Sequence, residues 1–360
     1  MRDRGLALLK ACTEASGAPG CEHQVRRIIT REIPGENRTD NCGNVICEIP
    51  GSSDGPRVLL EAHMDEVGFM VQSLTDDGFL RFVTLGGWWP HVLLAQRVRV
   101  CTASGAEIIG VVTSRPPHFL SASEREKVMS IDNLYIDVGA RSLDELHEDY
   151  GIDVGDPIVP DSAFTQLHDP DMLLAKAFDN RVGCAVGIHA CDVLSSETHP
   201  NQLSFVGAVQ EELGTRGAQP AMRSVDPDVA IVLEGTPADD VPGGGSLDAR
   251  QGALRQGPQV RIMDPSAMMN RPLVNLVRDT AIALDVPLQL AVRRSGGTDA
   301  RPIHLHGHGV PTVVIGVPAR YIHTHSSIIY LPDYLHTVEL VCELVRRLDA
   351  ETVASLTSFT

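Results

Sequence analysis

The chain has 360 residues, 43% of them hydrophobic and 21% charged, the composition of a globular protein with room for one large domain or two ordinary ones. Thirty basic residues against forty-seven acidic ones leave a net charge of −17, which argues against nucleic acid or an anionic membrane surface as a partner, since both need a basic footprint. No run approaches the roughly 18 uninterrupted apolar residues of a membrane span, no secretory signal is visible, and the eight cysteines are scattered without a Cys-x-x-Cys pair, so a reducing cytoplasm is the expected setting.

In chain order, two amphipathic helices, Leu6–Ala15 and Glu22–Ile33, are broken by Gly17-Ala18-Pro19-Gly20. A short strand over Asn44–Ile49 and a turn-rich loop precede a second strand, Arg57–Leu60, which runs into Glu61-Ala62-His63-Met64-Asp65-Glu66. Between about Gly68 and Pro160 the texture changes to short alternating segments, Phe79–Val83, Arg97–Cys101 and Glu107–Val112, separated by glycine turns. Ser114–Lys127, with two prolines and a charged run, reads as a mobile loop, and Ser142–Tyr150 as a short helix.

Helices and strands then alternate: helix Arg181–Leu194, strands Leu203–Val209 and Val229–Leu233, helix Leu273–Leu284, strand Pro311–Gly316 and a closing helix, Tyr334–Leu348. Such alternation predicts an α/β fold, a mostly parallel sheet flanked by helices. Residues 1–67 and 161–360 would form this discontinuous domain, with 68–160 inserted as a small β-barrel-like domain.

The chemistry gathers at strand ends. Arg57–Leu60 delivers His63 and Asp65, Leu203–Val209 delivers Glu211 and Glu212, Val229–Leu233 delivers Glu234, and Pro311–Gly316 is followed by His323 and His325. Ligands of open α/β sheets bind outside the carboxyl ends of the strands. Asp179 adds a further candidate just before the Arg181–Leu194 helix. Each has a plainer reading: Glu211-Glu212 as a solvated pair capping a helix, Asp179 as an N-cap, a lone histidine as core or surface. Together they favour a metal site, because adjacent carboxylates repel and burial raises their pKa values. A metal ion resolves that conflict by binding one carboxylate while the other handles a proton.

Four ordered segments, His63-Met64-Asp65-Glu66, Phe178-Asp179-Asn180-Arg181-Val182-Gly183, Gln210-Glu211-Glu212-Leu213-Gly214 and Arg320-Tyr321-Ile322-His323, resemble the motifs of the M42 family of metallo-aminopeptidases, and the similarity runs nearly end to end. It includes Ser114–His118 and Gly296-Gly297-Thr298-Asp299. The resemblance implies two divalent ions sharing Asp179, with His63 and Glu234 completing one set of ligands and Glu212 and His323 the other. Glu211 would be the general base and Asp65 would orient His63, as carboxylates commonly do for metal-bound imidazoles. A cis peptide bond at Asp179-Asn180 is a further expectation.

Asp239, Gly243, Gly297, Thr298 and His325 are expected to border the substrate pocket. Glu234 stands where many members have Asp, and His325 where many have no histidine; on an extended segment His325 would face the same way as His323. The implied activity is removal of N-terminal residues from short peptides, with acidic, apolar and basic preferences all represented in the family. Zinc is the expected metal, cobalt or manganese the alternatives. The inserted domain would mediate dimerisation, with dimers able to build a tetrahedral dodecamer. Two other readings stay open: a deacylase or amidohydrolase on the same centre, and a non-catalytic scaffold. Glycoside hydrolysis fits less well, since it wants two carboxylates flanking the bond rather than a histidine-bearing cluster.

Overall fold

Near-continuous apolar runs mark the four strands at the heart of the molecule, Gln202–Ala208, Arg57–His63, Val229–Pro237 and Thr312–Arg320. Strands covered on both faces need no polar alternation, and these four lie side by side, in that order and all parallel. The structure, a computed structural model, describes residues 1–51, 54–243 and 250–358. Among these residues the full sheet has twelve strands. Antiparallel neighbours flank the centre: Val45–Ile49 and Glu36–Thr39 on one side, Ser327–Tyr330, Met172–Ala175 and Thr165–Gln166 on the other. The sheet is therefore mixed, parallel at its centre where the site is built and again between Gln259–Asp264 and Gln289–Val292. Apart from Val45–Ile49, these flanking strands span two to four residues, too few for a period of two to register in the sequence.

Helix Phe178–Leu194 lies against Arg57–His63 and Val229–Pro237, and is covered in turn by Arg2–Glu14 and Leu331–Arg347. Its close approach depends on two glycines one turn apart. A Cβ on Gly183 would come 2.4 Å from the Leu233 carbonyl, and one on Gly187 would come 2.1 Å from the Phe205 ring. No helix among the described residues is long and apolar enough to cross a membrane.

Six strands between Gly68 and Pro160 close into an antiparallel barrel with its own core, including Phe69, Leu80, Phe82, Val98, Val100, Ile136 and Ile158. Trp88 stacks on Phe69 with ring centroids 4.7 Å apart, whereas Trp89 is 64% exposed. The Ser114–Lys127 stretch carries more structure than its composition suggests. It holds a 3-10 turn at Pro117–Phe119 and a helical turn at Ala122–Arg125, the latter fixed by a capping box between Ser121 and Glu124.

One buried charge cluster ties the end of the first helix and the loop after it to the strand ends. Glu66, Lys176 and Arg181 are each at most 1% exposed. Lys176 donates to both Glu66 oxygens and to the carbonyl of Ala15, while Arg181 donates to Glu66 at 3.0 Å and to the carbonyls of Cys12, Ala15 and Gly17. Burial drives the Lys176 ammonium down to about 8, the Glu66 charge opposing that shift. Removing one member of a buried pair strands the others as uncompensated charge. Glu66→Gln is therefore expected to lower stability by about 3–5 kcal/mol, measured by chemical denaturation.

Candidate metal centre

The register of the parallel strands sets the site. His63 ends its strand opposite Ala208, the last residue of the neighbouring strand. The chain beyond Ala208 turns sharply, with Gln210 at φ 57°, and the turn is held by Asp65. One Asp65 carboxylate oxygen accepts from the Glu211 amide and the other from the Glu212 amide, each at 3.0 Å. His63 Nδ1 lies 3.1 Å from the Asp65 carbonyl oxygen and 3.4 Å from its carboxylate. The backbone carbonyl is thus the nearer partner of His63, and the Asp65 carboxylate is engaged chiefly with the Glu211-Glu212 turn.

Asp179 does not act as a helix cap. Asp179 and Asn180 lie outside helical backbone angles, and the peptide bond joining them is cis. Asn180 takes the capping role, its Oδ1 accepting from the Gly183 amide at 3.1 Å. The same oxygen accepts from the Gly235 amide at 2.9 Å, while Nδ2 donates to the Leu233 carbonyl at 2.8 Å. Asn180 therefore grips the backbone on both sides of Glu234 and fixes Asp179 and Glu234 relative to each other. The Phe-Asp-Asn-Arg segment carries a signal for the carboxylate but none for this grip, because asparagine at a helix start reads simply as a cap.

His63 Nε2 lies 3.3 Å from one Asp179 oxygen and 3.7 Å from Glu234. His323 Nε2 lies 3.3 Å from the other Asp179 oxygen and 3.5 Å from Glu212, and its Nδ1 is 2.8 Å from the Gly87 carbonyl at the barrel's edge. These separations exceed the roughly 2.7–3.2 Å of good N–H···O bonds. Three of the four match the spacing of two ligand atoms placed tetrahedrally about one ion at zinc-like bond lengths, about 3.3–3.6 Å, and the His63–Glu234 separation of 3.7 Å is slightly longer. Ligand atoms of His63, Asp179 and Glu212 all lie within 4.8 Å of one another. Imidazole and carboxylate donors at this spacing fit divalent metal.

Electrostatics point the same way. Burial raises Glu212 and Glu234, with the Asp179 charge adding to both. Burial opposes charge on His323, yet contact with Asp179 and the Glu212 charge lift it to about 10; His63 also rises, through Asp179 and Asp65. Asp179 falls below the usual range, its contacts with the His323 and His63 imidazoles overcoming burial. Burial pushes Glu211 up to about 8. Deeper still, Glu61 and Asp299 are fully buried beside one another, and burial lifts Glu61 to about 8.

The cavity over this cluster, of about 480 Å³, is lined by His63, Asp179, Glu211, Glu212, Glu234 and His323, and by Gly297 and Thr298. Asp239, Gly243 and His325 are not among its lining residues. Asp239 turns aside to accept from the amides of Gln251 and Gly252. The segment carrying His323 is not extended, since Tyr321 and His323 have φ of 61° and 57°, so residues two apart do not share a face. His325 is 4% exposed and packs 5.4 Å from the Trp88 ring, and burial lowers it to about 4. Arg261, Arg293 and Arg301 also line the cavity; no motif singled them out.

Residues 43–340 match the family model described as M42 glutamyl aminopeptidase. The chain belongs to the M42 peptidase family. It is a hydrolase of peptide bonds, and peptidases of this family are metal-dependent. Its sequence is 33% identical to the glutamyl aminopeptidase of Lactococcus lactis subsp. cremoris (strain MG1363), over 98% of both chains. Among solved structures it is similar to a TET aminopeptidase from the marine sediment archaeon Thaumarchaeota archaeon SCGC AB-539-E09, with 40% identity, a TM-score of 0.92 and 99% of each chain covered. It is also similar to the TET1 peptidase of Pyrococcus horikoshii, which can assemble into a tetrahedron or a large octahedral shell, with 29% identity, a TM-score of 0.84, and 96% of this chain and 100% of that one covered.

The Asp65 clamp yields a direct test within this M42 site. Asp65→Ala leaves the Glu211 and Glu212 amides without their acceptor. The expected cost is about 1–3 kcal/mol, read as a lower denaturation midpoint in metal-free protein.

Proposed function

We propose that this protein is an aminopeptidase with a dinuclear metal centre that releases N-terminal residues from short peptides. The observation that carries the reading is Asp179, whose two oxygens face different imidazoles, one toward His63 and the other toward His323, each at 3.3 Å. That is the arrangement of a carboxylate shared between two ions. His63 and Glu234 complete one set and Glu212 and His323 the other, with zinc the metal of choice and cobalt or manganese the alternatives. When bound, the ions supply Lewis acidity toward the scissile carbonyl and acidify the attacking water.

Glu211 lines the same cavity beside Glu212, and the Asp65 clamp holds both amides so that the two side chains leave the turn separately. Glu211 takes a proton from the attacking water at a carboxylate oxygen and returns it to the departing amine nitrogen as the C–N bond breaks. Burial favours its protonated form in the metal-free site, and cations bound beside it would favour the ionised form a base needs. Asn180 and Asp65 act as positioning residues.

The inserted barrel, residues 68–160, is the dimerisation domain in this reading. Its surface exposes the apolar side chains of Val83, Trp89, Ile109, Phe119 and Val128, which a partner could cover. Assembly of dimers into a hollow shell would admit short peptides and exclude folded proteins. A cytoplasmic location accords with eight unpaired cysteines.

Glu211→Gln is expected to keep the full metal content, by elemental analysis, and the oligomer, by light scattering, while turnover of aminoacyl-anilides falls about 10²–10⁴-fold. Activity near wild type would sink the assignment of the base. In wild type, chelation is expected to abolish turnover and two ions per chain to restore it. A single monomer peak in light scattering would refute the assembly.

A further inference from the structure

The chain leaving the strand Gln202–Ala208 carries four consecutive amides, Val209 to Glu212, and each donates to a buried side chain that precedes the barrel in sequence. Asn44 Oδ1 accepts from the Val209 amide at 2.9 Å, Glu22 Oε1 from the Gln210 amide at 3.1 Å, and Asp65 from the amides of Glu211 and Glu212. Asn44 and Asp65 adjoin the two strands paired with this one, so their reach is short. Glu22 comes from outside the sheet, at the start of the helix His23–Glu32.

An acidic residue in that place ordinarily serves its own helix, accepting from a first-turn amide and complementing the positive end of the helix dipole. Glu22 makes no such cap bond. The oxygen that accepts from Gln210 also accepts from the Gly20 amide, at 2.7 Å. Glu22 is 2% exposed, and burial and the nearby Asp65 charge both favour its protonated form, against the pull of the amides. What this carboxylate secures is the conformation of Gln210. That residue has φ of 57°, a region a residue other than glycine enters at a cost, and it reverses the chain between the strand end and Glu211. Without the Glu22 oxygen, Gln210 has neither a glycine's freedom nor an acceptor for its amide, and the turn relaxes toward negative φ.

We propose that Glu22 is a positioning residue for the base, locking Gln210 in the left-handed conformation that aims the Glu211 carboxylate into the cavity. The inference rests on the reading of Glu211 as general base. Glu22 is not among the residues lining the cavity and acts through a single backbone amide. The imidazoles and carboxylates of the cluster have other supports, Asn180 beside Asp179 and Glu234, Gly87 behind His323 and Asp65 beneath Glu212. Loss of Glu22 is therefore read in turnover and not in metal content, since misplacing a group by about 1 Å can cost about 10²-fold in rate.

The test uses full-length, metal-loaded protein and aminoacyl-anilides. Glu22→Ala is expected to lower kcat about 10- to 100-fold, with KM little changed and metal content, by elemental analysis, equal to wild type. Glu22→Gln, which keeps an oxygen for both amides, is expected to recover most of the rate. So is the double variant Glu22→Ala with Gln210→Gly, because glycine holds positive φ without an acceptor. Glu22→Asp, one methylene short of the amide, reads the same loss in milder form if the alanine variant does not fold. A merely structural role lowers the denaturation midpoint with kcat unchanged, or leaves the double variant no faster than Glu22→Ala. Either result overturns the proposal, as does a Glu22→Gln variant as slow as Glu22→Ala or a crystal structure of Glu22→Ala in which Gln210 keeps its left-handed φ. Glu211→Gln, run alongside, separates the two readings. If it stays active the base assignment fails, and if it is inactive while Glu22→Ala turns over like wild type, the role of Glu22 fails alone.

Discussion

Four carboxylates, Asp179, Glu211, Glu212 and Glu234, converge on one cavity, and the rest of the site is organised by the cost of bringing them there. Burial and mutual repulsion both favour protonation of such groups. The shifts are opposed: burial raises Glu212 and Glu234, while the neighbouring carboxylates favour the charged forms of both imidazoles. Glu61 and Asp299 add a second acidic layer behind His63. Protons or divalent cations can discharge this load, and they compete for the same atoms. Metal affinity in such a site is therefore linked to pH and to folding stability.

The fold meets that cost by making each functional group answerable to a backbone group on another element. Asp65 ties the Glu211-Glu212 turn to the strand that carries His63, and Asn180 ties Asp179 to the strand that carries Glu234. The Glu66–Lys176–Arg181 cluster then anchors the approach to Asp179 against the C-terminal carbonyls of the first helix. Repelling groups thus cannot relax by drifting apart, because their amides and carbonyls are already engaged elsewhere.

How much of this could be read in advance follows the same division. His63, Glu211, Glu212 and Glu234 were legible because long buried strands announce themselves by composition, and residues just past their carboxyl ends inherit a location. The barrel was legible from its alternating segments. The grip of Asn180 was not, since it depends on a cross-element contact with Leu233 and Gly235. Nor was the departure of His325 from the site, which turns on two left-handed residues, Tyr321 and His323, that no β-branched or glycine signal marks. Asp239 illustrates a third limit: nearness in sequence to Glu234 counts for little once the strand ends and the chain folds back onto Gln251. Arg293 follows a four-residue strand, Gln289–Val292, whose place beside Gln259–Asp264 only the sheet topology reveals.

The barrel's relation to the site is closer than that of an appended docking module. Gly87, just past the second barrel strand, accepts from His323 Nδ1 if that nitrogen carries the proton, which leaves Nε2 free to face Asp179 and Glu212. Gly86 beside it comes so near Glu212 that a Cβ there would lie 3.1 Å from a carboxylate oxygen and 2.7 Å from Val67. One turn of the inserted segment therefore fixes the tautomer of one imidazole and confines the carboxylate opposite it. A second nitrogen held by a carbonyl is how proteins commonly orient a metal-binding histidine, and here the carbonyl belongs to the barrel segment rather than to the sheet. The barrel and the sheet thus meet at one imidazole, which touches a carbonyl of the first and faces carboxylates borne by the second.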